Sequence, residues 1–164
     1  MIKRSSSLLT HLKNCMETNI DAQFYETVIV YNMLTDEPYL ASIIDHIEDR
    51  FFDNKDIKEI VKIVTSFYDK RSAPPTLTEI KSYLTTDSLK TNFKNVVKLF
   101  DGFDKNFNKS ELYVNTEKFL KEKAVYNTLL EVADQSGDGD VNTSEILGKF
   151  EKACGITLAT DLGL

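Results

Sequence analysis

The longest predicted helix of this chain runs from Ser110 to about Gln135, where neither glycine nor proline occurs. Apolar residues recur in it at helical spacing, which predicts one α-helix of about 25 residues and close to 40 Å in length. One apolar stripe contains Leu112, Phe119, Tyr126, Leu130 and Ala133, and a second contains Val114, Val125, Leu129 and Val132. Because so wide an apolar surface must be covered on two sides, we expect part of the helix to pack outside its own domain.

Short amphipathic segments separated by turn residues precede this helix. Asp21 is the predicted N-cap of a first helix that ends near Leu34, since its carboxylate can accept hydrogen bonds from free backbone N–H groups. Asp36 is the predicted cap of a second helix. We expect that second helix to continue to the Phe51-Phe52 pair and to bury both rings at its end.

A third helix is predicted after Asp53 or Asn54, either of which can cap it, and it should end before Pro74. Thr76 and Glu79 follow at the spacing of a capping box, which starts another helix. Only three prolines and six glycines occur among 164 residues, of which 41% are hydrophobic. This composition favours long helices and a packed core, so the predicted fold class is all-α.

The predicted architecture is a small helical globular domain followed by a long helical hairpin. After the long helix, residues 136–140 have the composition of a turn, and Asn142 or Thr143 can cap a final helix that ends near Gly155. We expect an N-terminal extension at residues 1–20, the globular domain at 21–109, the hairpin at 110–155 and the start of a linker at 156–164.

The charge distribution favours protein partners. The net charge is −6, and the one clearly basic stretch is at the N-terminus. A nucleic-acid-binding domain usually shows a basic stripe, although folding can gather scattered lysines on one face. Cys15 and Cys154 are far apart, which is typical of free thiols in a reducing compartment. With no secretory signal and no apolar run of about 20 residues, we expect a soluble cytoplasmic protein.

Several segments together resemble the N-terminal domain of DnaB-type replicative DNA helicases, in particular those of tailed bacteriophages. The matching segments are FYETVIVYNMLTDEPYL (24–40), RFFDN (50–54), KEIVKIVTSFYDKRSAPPTLTEIKSYL (58–84), YVNTEKFLKEKAVYNTLLEVAD (113–134) and DVNTSEILGKFEKA (140–153). They are patterns of apolar and turn residues in a given order, and they contain no catalytic signature. The resemblance covers the chain from about residue 24 to its end.

The resemblance implies a non-catalytic role in DNA replication. In that family this domain is a helical collar on a hexameric ring, its hairpin pairs protomers, and the collar contacts primase and a helicase loader. ATP and Mg²⁺ belong to a RecA-like motor domain, and this chain lacks the G-x-x-x-x-G-K-[ST] phosphate loop of such a motor. We therefore interpret the chain as a collar excised from an ATP-dependent helicase that acts in the bacterial host cytoplasm; a naturally short paralogue is the alternative.

No catalytic or cofactor-binding residue is predicted. The residues expected at the interface between protomers lie on the two helices of the hairpin. They are Phe119, Tyr126, Leu130, Ile146 and Phe150.

Two alternatives stay open from the sequence alone. Helicase-interacting domains of primases resemble the same collar fold and would bind the helicase instead of forming its ring. The segment 134–145 also fits the calcium loop of an EF-hand, although turn-forming residues explain the same composition. The oxygen ligands of that loop would come from Asp134, Ser136, Asp138, Asp140 and Glu145.

Overall fold

A computed structural model describes residues 19–137, 139 and 142–158, with side chains from residue 23 onward. This part of the chain is all-α and contains no strand, as predicted. Its helices are α1 (Asn19–Thr35), α2 (Glu37–Ile43), α3 (Lys55–Arg71), α4 (Leu77–Tyr83), α5 (Asp87–Leu99), α6 (Lys109–Gly137) and α7 (Thr143–Cys154). Short 3₁₀ turns occur at Asp49–Phe51 and Phe100–Gly102. The predicted N-terminal extension lies outside the described residues up to residue 18.

Local capping explains where most of these helices begin. Asp36 accepts a hydrogen bond from the Tyr39 backbone N–H at 3.2 Å at the start of α2. At the start of α3, Asn54 accepts hydrogen bonds from the Asp56 and Ile57 backbone N–H groups at 2.9 and 3.1 Å. Thr76 and Glu79 form the predicted capping box at the start of α4. Each cap satisfies backbone donors that would otherwise lack partners in the first helical turn.

Two predicted helix boundaries are wrong, and a third is confirmed. Asp21 lies inside α1 and is not its cap. The second helix ends at Ile43, so Phe51 and Phe52 are buried from a 3₁₀ turn and the extended residue after it. The third helix ends before the prolines because Ser72 adopts a left-handed conformation (φ 54°) that cannot continue a helix.

One core connects the globular part with the first half of α6. It contains apolar side chains from α1, α2, α3 and α5, together with Leu112, Phe119 and Leu120 of α6. The Phe119 ring centroid lies 6.1 Å from that of Tyr25 and 5.8 Å from that of Phe52. The core therefore does not stop at residue 109, where the sequence places a domain boundary.

A buried cluster of three hydroxyl groups fixes α6 against α1 and α2. The Thr116 hydroxyl lies 2.8 Å from the Tyr39 hydroxyl and 3.3 Å from the Tyr25 hydroxyl, and it donates to the Leu112 carbonyl oxygen at 2.6 Å. The Tyr25 hydroxyl also donates to Leu112 at 3.1 Å. Burial raises the pKa values of both tyrosines, so their hydroxyl groups stay protonated and able to donate.

The second half of α6 folds against α7 as an antiparallel hairpin. The Lys149 ammonium group pairs with Glu131 at 2.9 Å, and the Leu158 backbone N–H donates to Glu117 at 3.1 Å, so the chain after the turn runs back along α6. Ile156 and Leu158 are buried in the core. The start of the predicted linker is thus packed against the core as far as residue 158. We call the globular part formed by α1–α5 and the turns between them the body.

We predict that Thr116→Val destabilises the fold because it leaves the two tyrosine hydroxyl groups without their shared partner. The expected loss in the free energy of unfolding is about 1–3 kcal/mol, measured by urea denaturation. Thr128→Val is the matched control, since Thr128 is also buried on α6 but its hydroxyl bonds only the Ala124 carbonyl of the same helix. Equal losses in the two variants would contradict an anchoring role for Thr116.

Candidate interaction surface

One face of α6 is buried along its first half and exposed along its second. Residues three or four positions apart lie on the same side of a helix. The residues at this spacing on the described face of α6 form what we call the α6 stripe: Leu112, Thr116, Phe119, Lys123, Tyr126 and Leu130. Phe119 is 7% exposed, whereas Tyr126 is 38% and Leu130 is 46% exposed. The stripe therefore continues beyond the body that covers its first half, and it ends in two apolar side chains open to solvent.

The predicted interface residues divide accordingly. Phe119 lies in the core of its own chain and presents almost no surface to a partner. Tyr126 and Leu130 are exposed on α6, while Ile146 and Phe150 on α7 are half-buried. Leu147, which the sequence reading did not select, is 61% exposed. It neighbours Ile146 in the chain, so α7 also carries exposed apolar surface.

A cluster of charged side chains sets the position of the hairpin relative to the body. The Glu131 carboxylate pairs with Arg50 of the 3₁₀ turn at 2.6 Å and with Lys149 of α7 at 2.9 Å. Arg50 also pairs with Glu48. The hydrogen bonds from Lys149 and then from Arg50 lower the pKa of Glu131 below its ordinary value, despite partial burial. Glu131 thereby joins three elements just beyond Leu130.

A second link lies one helical turn before Tyr126. The Lys123 ammonium group pairs with Asp53 at 3.1 Å and lies 5.7 Å from the Phe119 ring centroid. The Asp53 and Asn54 backbone N–H groups donate to the buried Glu26 carboxylate at 2.6 and 3.1 Å. Burial raises the pKa of Glu26, and these hydrogen bonds oppose that rise. Glu26 of α1 therefore holds residues 53 and 54, and Asp53 in turn pairs with Lys123, one turn before the exposed Tyr126.

The residues of the alternative calcium loop are only partly described. Asp134 and Ser136 lie in the last turn of α6, where residues two positions apart point about 200° away from each other. The Glu145 carboxylate forms an ion pair with Lys149 at 3.5 Å. Asp138 and Asp140 lie outside the described residues. Within the described ranges, no group of three or more metal-ligating side chains comes together.

Two further properties of the described residues bear on function. None of the helices within 19–137 and 142–158 has both the length and the hydropathy required to cross a lipid bilayer. Two open grooves lie on the surface of these residues. One has a volume of about 480 Å³ and lies between the α1–α2 junction and the segment before α6, lined by Tyr31, Glu37, Phe107 and Lys109 among others.

Comparisons with protein-family models, with curated proteins and with solved structures found no match for this chain.

We predict that Glu131→Gln reduces stability at neutral pH and that this effect disappears in acid. A carboxyl group whose pKa is lowered on folding stabilises the fold above its unfolded pKa, and this stabilisation is lost as the pH falls through the folded pKa. Urea denaturation of the wild type and the variant between pH 7 and pH 3 should therefore give converging free energies of unfolding.

Glu122→Gln provides the control for this titration. Glu122 is on the same helix, more exposed, and pairs with Lys118 at 3.9 Å. We expect little effect of this substitution at any pH. A difference between wild type and Glu131→Gln that stays constant down to pH 3 would contradict the assigned role of the Glu131 carboxylate.

Proposed function

We propose that this chain is a non-catalytic collar domain of a phage-type replicative DNA helicase, which pairs with a second copy through its helical hairpin. In this role it promotes ring assembly and docks primase or a helicase loader during DNA replication. The observation that carries the proposal is the α6 stripe, whose buried half holds the helix to its own body and whose other half ends in exposed Tyr126 and Leu130.

The pairing rests on burial of apolar surface. When tyrosine and leucine side chains lose contact with water on association, each contributes about 25 cal/mol of favourable free energy per Å² of apolar area buried. Aromatic residues at the centre of an interface often dominate its binding energy. Tyr126 suits such a position because its ring can be buried while its hydroxyl group still reaches a polar partner.

The rigidity of the hairpin supports the same role. Glu131, Arg50 and Lys149 fix α6 and α7 to the body next to Leu130, and Glu117 holds the returning chain at Leu158. A surface held in one conformation before binding loses less conformational entropy on association. The exposed residues are therefore presented on a fixed support.

We predict that the double variant Tyr126→Ser/Leu130→Ser self-associates at least about tenfold more weakly than the wild type, because the apolar contact is removed from both copies. Sedimentation velocity over a range of protein concentrations measures the monomer–oligomer distribution. Both positions are exposed, so the urea denaturation midpoint of the variant should stay close to that of the wild type.

Val114→Ser is the matched control for this experiment. Val114 is 66% exposed on the same helix, but it lies about 200° around α6 from Leu112 and so off the stripe. It should leave the distribution unchanged. A wild-type chain that stays monomeric, alone and when mixed with its cognate motor domain, would refute pairing through the stripe; the motor is included because it raises the local concentration of collars.

The replication role is tested by mixing the chain separately with the cognate primase, with the cognate helicase motor and with the intact cognate helicase. We expect a complex with primase, detected by co-elution in gel filtration. A complex with intact helicase but none with primase would instead identify a helicase-interacting domain of a primase.

A further inference from the structure

The Phe24 side chain is an exposed ring at the edge of a cluster of aromatic side chains. Its ring centroid lies 5.8 Å from that of Phe103 in an edge-to-face arrangement. Phe103 in turn lies 5.5 Å from Tyr31 and 6.5 Å from Phe100. Phe24 is 50% exposed, whereas the other three rings are partly buried. We call Phe24 and the adjoining edge of Phe103 the Phe24 face, an apolar surface that the described residues leave open.

The chain that leads into α1 joins the helix close to this face. The first residue of α1 is Asn19, and Phe24 follows five residues later, about 7.5 Å along the helix. An extended chain covers up to about 3.6 Å per residue, so three residues are enough to turn back over this distance. Segment 1–18 is therefore tethered beside Phe24, and a short tether gives a local concentration of about millimolar.

The same segment has an apolar pattern of its own. Leu8, Leu12 and Met16 recur every four residues, with Leu9 next to the first of them. Residues at this spacing share one side of a helix. A helix of this length is marginal in water unless such a side packs against other apolar groups. The segment thus needs an apolar surface, and the Phe24 face is within its reach.

Charge favours the same occupant. Segment 1–18 contains three cationic residues and one acidic residue. The exposed carboxylates of Asp101 and Asp104 lie within two residues of Phe103, and neither forms an ion pair among the described residues. Lys105 next to them is turned toward the Phe103 ring, with its ammonium group 5.7 Å from the centroid. A cation of the segment would find a carboxylate there, and such exposed pairs orient a contact more than they strengthen it.

We propose that segment 1–18 folds back onto its own chain and covers the Phe24 face, with Leu12 and Met16 against the Phe24 ring. The occupant is this segment because its tether keeps it at the face at a concentration that a separate molecule rarely reaches. A second protein that uses the Phe24 face must first displace the segment. The tests below do not involve Tyr126 or Leu130, so their outcome does not depend on the pairing proposed above.

A single tryptophan placed in the face reports whether it is covered. The chain contains no tryptophan, and tryptophan emission moves to longer wavelength when the ring becomes exposed to water. We expect Leu8→Ser/Leu12→Ser/Met16→Ser, added to Phe24→Trp in the full chain, to move the emission maximum to longer wavelength. An unchanged maximum would overturn the proposal.

Leu77→Trp is the matched control for this reporter. Leu77 is 57% exposed at the start of α4, and the triple serine substitution should leave the emission of a tryptophan there unchanged. An equal shift at both positions would overturn the proposal, because it would show a general change in the fold. The emission of Phe24→Trp should also stay constant from 1 to 100 μM protein. A shift to shorter wavelength with rising concentration would overturn the intramolecular contact in favour of the segment of a second copy.

Hydrogen exchange followed by mass spectrometry reads the segment itself in a chain without tryptophan. Phe24→Ser should speed amide exchange in residues 8–16 by about tenfold, because it removes the aromatic centre of the contact. Leu77→Ser should leave this exchange unchanged, and both variants should keep the urea midpoint of the wild type, since both positions are exposed. Exchange in residues 8–16 that is equally fast in the wild type and in Phe24→Ser would overturn the proposal.

Discussion

The hydroxyl group of Thr116 is the contact on which the position of the long helix depends. It meets the hydroxyl groups of Tyr25 and Tyr39 in the core, so the first half of α6 is tied to α1 and to α2 by buried polar contacts. Such contacts require a given geometry, whereas apolar packing alone tolerates sliding and rotation of a helix. With α6 held in this register, Phe119 enters the core, Tyr126 lies beyond it, and Glu131 comes within reach of Arg50.

The sequence predicted those features of the fold that depend on a few neighbouring residues. The caps at Asp36, Asn54 and Thr76 were predicted because each acts on backbone groups two or three positions away. The apolar residues of the α6 stripe were recognised from their spacing. The division of the stripe into a buried half at Phe119 and an exposed half at Tyr126 was not, because periodicity gives the side of a helix but not the place where the neighbouring body ends.

Ion pairs between residues far apart in the chain also could not be predicted from the sequence. Arg50 and Glu131 are 81 positions apart, and nothing near either residue indicates the other.

The end of α7 has a consequence for how variants of this protein should behave. A methyl group built on Gly155 would lie 3.0 Å from the Glu151 carbonyl oxygen, a distance that side-chain carbons rarely tolerate. Even alanine at this position would require a shift of a few tenths of an ångström in the last turn of α7, just before Ile156 and Leu158 enter the core. A side chain at Gly155 would thus strain the last turn of α7 directly before the segment in which the Leu158 backbone N–H donates to Glu117.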